Sequence, residues 1–134
     1  MEENCHVLPT GGKRESKGIR VWGIRGAVDV PVNTATAILA ATEGLLREIQ
    51  TRNRLVVKDI ISAFFTVTPD LNAAFPAEAA RRLGWQEAAL LCATEIPVPG
   101  SLPGVVRVLI HAYSDREPVH VYLGRAVQLR PDLG

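Results

Sequence analysis

Val105-Val106-Arg107-Val108-Leu109-Ile110-His111-Ala112-Tyr113 is the stretch on which the fold turns. Its β-branched and aromatic content is that of a strand. A loop rich in proline and glycine, residues 96–104, precedes it. Before that loop, residues 88–94 (Ala-Ala-Leu-Leu-Cys-Ala-Thr) read as another buried strand. Further back lies a short helix, with Pro76 in its first turn and Gly84 at its end. An apolar strand at about Ile60–Thr66 comes earlier, halted by Thr68-Pro69-Asp70. Asn33-Thr34 offers an N-cap for a long helix running to about Arg52. Within that helix Ile38, Leu45, Leu46 and Ile49 share one face at helical spacing, which predicts that it covers a sheet. Thr42, Glu43, Arg47 and Gln50 are expected on its solvated side.

The first ordered segment begins at Gly18, and Ile-Arg-Val-Trp-Gly-Ile-Arg-Gly-Ala-Val (19–28) reads as a strand whose glycines allow close backbone approach. Residues 1–17 are polar and without periodicity, which is the pattern of a disordered leader or an expression remnant. Cys5 and His6 adjoin there, but two ligands on a floppy tail make a weak metal site. Beyond the central stretch, Val-His-Val-Tyr-Leu-Gly-Arg-Ala-Val-Gln-Leu (119–129) is apolar and interrupted by Gly124, and an Arg-Pro-Asp-Leu-Gly tail follows. The order of elements predicts an α/β (α+β) architecture, a mixed sheet packed by one long and one short helix. So few helices cannot cover both faces of such a sheet, so assembly through sheet surfaces is expected.

The bulk properties narrow the function. At 134 residues the chain is one domain by length. Hydrophobic residues at 47% and charged residues at 22% are those of a globular protein with a real core. Net charge is +1 with the cations scattered, which excludes a basic footprint for nucleic acid. No apolar run approaches the ~20 residues needed to span a bilayer, and no secretion signal is evident. Cys5 and Cys92 are too few for a disulfide framework and lack ligand spacing, so a reduced, cytoplasmic setting is expected.

The informative residues are ionic groups inside apolar strands. Arg107 has branched neighbours on both sides, and on burial its guanidinium must meet hydrogen-bonding anions or cost several kcal/mol. Glu95 closes the strand Leu-Leu-Cys-Ala-Thr-Glu, and Arg25 stands in Gly-Ile-Arg-Gly. Two readings fit: a structural Arg107–Glu95 ion pair with Arg25 in water, or a ligand site. The cations tilt the balance, since Arg25, Arg81, Arg107 and Arg130 all flank apolar or turn segments and one carboxylate cannot neutralise them. Arginine suits planar, bidentate recognition of carboxylates, so a small carboxylate-bearing ligand is expected. No nucleophile elbow, phosphate loop, zinc motif or dinucleotide fingerprint occurs. Cys92 reads as a packed small residue and His111 as a satisfied structural histidine, while His120 shares a face with Tyr122 and has no assigned role. A binding protein and an enzyme needing neither nucleophile nor base both fit this pattern.

Seven segments, in order, resemble the trimeric α/β-barrel chorismate mutases of the AroH-type class. They are Arg-Val-Trp-Gly-Ile-Arg-Gly-Ala (20–27), Thr-Pro-Asp-Leu-Asn-Ala-Ala-Phe-Pro-Ala (68–77), Gly-Trp-Gln (84–86), Cys-Ala-Thr-Glu (92–95), Val-Arg-Val (106–108), and His-Val-Tyr-Leu (120–123) with Leu-Arg-Pro-Asp-Leu (129–133). The resemblance implies one chorismate mutase domain over 18–134 with a mobile C-terminal tail, assembled as a homotrimeric pseudo-α/β barrel with sites at subunit interfaces. It implies an isomerase of the shikimate pathway that converts chorismate to prephenate for phenylalanine and tyrosine biosynthesis, with no cofactor and no metal. By the same resemblance Arg107 would donate to the ether oxygen and the adjacent carboxylate, and Arg25 and Tyr122 would bind carboxylate oxygens. Glu95 would accept from the ring hydroxyl, with Cys92 beside it. Phe75, Ala77 and Arg81 correspond to residues contributed by a neighbouring subunit. Leu129 would line the site, and Arg130 would belong to the tail at its mouth. Glu78 stands where the family often carries lysine, which bears on the charge at the entrance.

Overall fold

The computed structural model describes residues 18–131. The readings made for residues 1–17, and for the last three residues of the tail, lie outside the described residues. The elements are β1 (Arg20–Asp29), α1 (Ala35–Asn53), β2 (Ile60–Val67), α2 (Ala77–Arg82), β3 (Ala89–Thr94), β4 (Val105–Ser114) and β5 (Val121–Leu123). Short 3-10 turns at Val57–Asp59 and Gly124–Leu129 complete the chain. The strands form one mixed sheet in the order β3-β2-β4-β1-β5. β4 runs antiparallel to both β1 and β2, while β2 with β3, and β1 with β5, are parallel. No helix among the described residues is long and apolar enough to cross a membrane.

Helix α1 starts where the cap places it: Thr34 Oγ1 accepts the Ala37 N–H at 3.1 Å. It ends at Arg54, whose left-handed φ of 52° lets its own N–H and that of Leu55 close on the last carbonyls. Its apolar stripe packs on one face of the sheet, joining Ile24, Val28, Ala63, Phe65, Val106, Val108 and Ile110 in the main core. The buried arc is wider than the sequence predicts. Thr42 is fully buried and donates to the Ile38 carbonyl at 2.7 Å, and Gln50 accepts from Trp85 Nε1 at 3.1 Å. The reason is that α2 and Trp85 pack along the flank of α1, covering positions that would otherwise meet water. Gly26 explains the close approach of α1 to the sheet, since a Cβ there would lie 2.7 Å from Ile49 Cδ1 and 3.1 Å from the Val121 carbonyl.

Among the described residues, little covers the second sheet face. Strand alternation sends Val106, Val108, Ile110 and Ala112 into the core, and Arg107, Leu109, His111 and Tyr113 to this open face. Arg107 is therefore not the buried cation that its apolar neighbours predict; 44% of its side chain is exposed. β3 departs from its reading in the same way: it is an edge strand, and Leu91 is 61% exposed rather than buried. Both strands look apolar throughout because one face packs on helices and the other carries apolar groups that the described residues do not cover. Among the described residues, one end of the open face has a lid. Gly124, at φ 60°, turns the chain so that residues 124–129 fold back over β1, and a side chain there would collide with the Asp29 carboxylate. Ala27, Val105, Tyr122 and Ala126 form a second small core under this turn, with Leu102, Val127 and Leu129 packed against it.

Candidate active site

Arg107 stands mid-face, flanked by Thr66 on β2 and Ala27 on β1. On the β2 side, Glu95 follows directly after β3, and its N–H bonds the Val67 carbonyl at 2.8 Å. That bond continues the parallel ladder by one residue and turns the Glu95 side chain to the open face. Its Oε2 accepts from Thr66 Oγ1 at 2.5 Å and lies 3.1 Å from Arg107 Nε. The ion pair thus engages the inner nitrogen of the guanidinium and leaves the two terminal nitrogens for a further partner. Thr66 is a residue that the sequence reading missed. Its only signal is its place opposite Arg107, and cross-strand register cannot be read from one strand.

On the β1 side, Arg25 lies on the same face as Ala27 and pairs with Leu109 across β4. Tyr122 pairs with Ala27 and is nearly buried in the small second core, where Leu129 also packs. Arg130 follows the closing 3-10 turn and is half-buried. The imidazole of His120 sits just ahead of β5 and accepts the Arg25 backbone N–H at Nδ1, 3.0 Å away. Burial, followed by the positive charges of Arg25 and Arg130, pushes the His120 pKa below the usual histidine value. Arg25, Arg107 and Arg130 therefore share this end of the face with two carboxylates, Glu95 and Asp29, and Asp29 already accepts the Arg125 N–H at 3.0 Å. The excess of cations is a field suited to a small polyanion.

Four predicted residues lie elsewhere. Phe75 and Ala77 stand at the start of α2 and Arg81 in its last turn, with α2 packed beside α1 and β3. Phe75 is 69% exposed and Ala77 is buried. Cys92 pairs with Phe65 and packs with the main core, on the helix side of β3. Glu95 points the other way, so within one chain Cys92 is not beside it. Strand alternation is the reason, because residues three apart on a strand face opposite sides. The chain accordingly gathers Arg25, Glu95, Arg107, Tyr122, Leu129 and Arg130 on one face, and Phe75, Ala77, Arg81 and Cys92 toward the other. Among the described residues, no group of three or more His, Cys, Asp or Glu side chains could hold a metal ion.

Comparisons with known proteins agree with one another. The family model described as chorismate mutase type I matches residues 21–133. Chorismate mutase AroH of Thermus thermophilus is 50% identical over 117 residues, covering 84% of this chain and 96% of the relative. Chorismate mutase AroH of Bacillus subtilis (strain 168) is 41% identical over 117 residues, covering 84% and 92%. A solved chorismate mutase from Clostridium thermocellum superimposes with a TM-score of 0.77 at 52% identity, over 78% of this chain and 96% of that one.

Proposed function

The chain belongs to the type I chorismate mutases, and from that membership we propose how its residues carry out the rearrangement of chorismate to prephenate. The enzyme is an isomerase of aromatic amino-acid biosynthesis. In this reaction one C–O bond breaks as one C–C bond forms, and no proton moves to or from the protein. Two tasks remain for the site: to hold a flexible dianion in a compact chair-like shape, and to meet the charge that gathers on the ether oxygen.

The observation that carries the assignment of roles is the Arg107–Glu95 pair, made through Nε on the open face, which leaves the terminal nitrogens of the guanidinium for substrate. Those nitrogens donate to the ether oxygen and the neighbouring carboxylate. Charge on that oxygen is greater in the transition state than in the substrate, so a preorganised donor lowers the barrier rather than merely tightening binding. Arg25 and Tyr122 bind carboxylate oxygens and so select the reactive shape. Glu95, held by Thr66, accepts from the ring hydroxyl. Leu129 lines the pocket and Arg130 stands at its mouth.

The pocket is completed between copies. The open face exposes Val21, Phe64, Leu91 and Tyr113, an apolar area that a second copy would cover. Homotrimer assembly brings Phe75, Ala77 and Arg81 of a neighbour over the Arg107 face, with Phe75 as a wall. Residues 18–134 form one domain, and the enzyme works in the cytoplasm. The test is the loss of chorismate's ultraviolet absorbance with purified protein in the absence of metal and nucleotide. Rapid conversion to prephenate is expected; a folded protein that binds chorismate without converting it would overturn the mechanism.

A further inference from the structure

Every backbone donor in β1 needs a partner, and one of them finds an unusual one. β5 pairs with β1 only from Val121, opposite Gly26. The Arg25 N–H, one residue earlier, points to the β5 side before that strand has begun. The His120 side chain fills the gap, with Nδ1 accepting this N–H at 3.0 Å. An acceptor at Nδ1 means a neutral imidazole with its proton on Nε2. His120 is itself held from the other side, because Asn53 anchors Val119: Asn53 Oδ1 accepts the Val119 N–H at 2.7 Å and Nδ2 donates to the Val119 carbonyl at 2.9 Å. The end of α1 is thereby tied through Val119 and His120 to the backbone of Arg25.

We propose that His120 is a positioning residue for Arg25: as a neutral imidazole it holds the Arg25 backbone, and protonation withdraws that acceptor and weakens substrate binding. An imidazolium presents N–H at both nitrogens, so the Arg25 N–H would face a donor and lose its partner. The charged groups acting on His120 are Arg25 from β1 and Arg130 from the segment after the last 3-10 turn; both are cations and both oppose protonation. The lowered pKa of His120 places the change on the acid side of the ordinary histidine range. Chorismate's carboxylates are already ionised there, so an acid limb in kcat/KM reports a protein group. The inference rests on the reading of Arg25 as a carboxylate ligand.

The experiment is a pH profile, from about pH 5 to pH 8, of the parent enzyme and two variants, spanning the range in which histidine titrates. The parent should lose kcat/KM at the acid end through a rising KM. His120→Ala, lacking the acceptor, should raise KM about five- to tenfold across the range, the effect of one ordinary hydrogen bond. His120→Asn places an amide oxygen where Nδ1 stood, so it should restore much of the lost affinity at neutral pH and show no acid limb. A flat parent profile, or an acid limb retained in His120→Asn, overturns the proposal. Nitrogen NMR of the substrate-free protein separates this from failure of the functional reading. The Nδ1 of His120 should be unprotonated at neutral pH, and the Arg25 amide should shift as His120 titrates. An Arg25 amide that stays still overturns the proposal whether or not chorismate is converted.

Discussion

Arg107 Nε lies 3.1 Å from Glu95 Oε2, and these two side chains come from strands that are not neighbours in the sheet: β2 runs between them. The pair spans β2 by passing over Thr66, whose hydroxyl bonds the same carboxylate oxygen. The guanidinium is therefore aimed before any substrate arrives. With 44% of the Arg107 side chain and 24% of the Glu95 side chain exposed, the pair adds little to stability in one chain. Its value is orientation.

Replacing Arg107 by alanine should lower kcat by about 10²–10³, the loss typical of one preorganised oxyanion donor. The circular dichroism spectrum should stay that of the parent. Arg107→Lys should fail nearly as badly, because a point charge cannot both pair with Glu95 and present a planar fork. A lysine variant with parental kcat would show that charge alone suffices.

Thr66→Val keeps the shape of the side chain and removes the hydroxyl that holds Glu95. A loss of about three- to tenfold in kcat/KM is expected, in line with one hydrogen bond to a charged group in a partly exposed site. Thr66→Ser should recover most of it. Equal kinetics for parent, valine and serine forms would show that Glu95 is oriented by Arg107 alone.

Arg107→Ala chains mixed and refolded with Phe75→Ala or Arg81→Ala chains should regain activity, since some interfaces would then pair two intact halves. Rates measured against the mixing ratio test this. Hybrids that never exceed the sum of the separate mutants would place the whole site within one chain.

Asp70 ties the loop before α2 to the start of β4. Burial raises its pKa, but the Thr68 hydroxyl, the Gly104 N–H and its own N–H outweigh that and hold the carboxyl below the usual aspartate value. A lowered folded-state pKa means the unfolded chain binds the proton more readily, so the stabilisation is present above about pH 4 and is lost as pH falls through the folded value. Asp70→Asn should lower the melting temperature at neutral pH and flatten its dependence on pH in the acid range. Parallel melting curves against pH for both proteins would show that the carboxylate is not linked to folding.

Helix α1 was legible because a period of 3.6 marks one face, and Thr34 and the stripe from Ile38 to Ile49 stand as read. β4 was legible by its composition, and Arg107, Glu95 and Arg25 stood out as charges among apolar residues. Gln50 was misread because it meets Trp85, and Thr42 because it lies fully buried, and local spacing reveals neither. The partnership of Thr66 with Glu95 and of His120 with Arg25 lay beyond reach for the same reason.

Local order along the chain determined the elements, their caps and the excess of cations at their ends. Those properties depend on residues within a turn or two of one another. The tertiary structure alone decided that β3 and β4 flank β2, which sets Glu95 beside Arg107, and that β5 starts one residue too late to bond Arg25. It also decided that Cys92 and Glu95, three residues apart, face opposite sides. Register and facing follow from hydrogen bonds between distant segments, and a single strand carries no record of which neighbour it will meet.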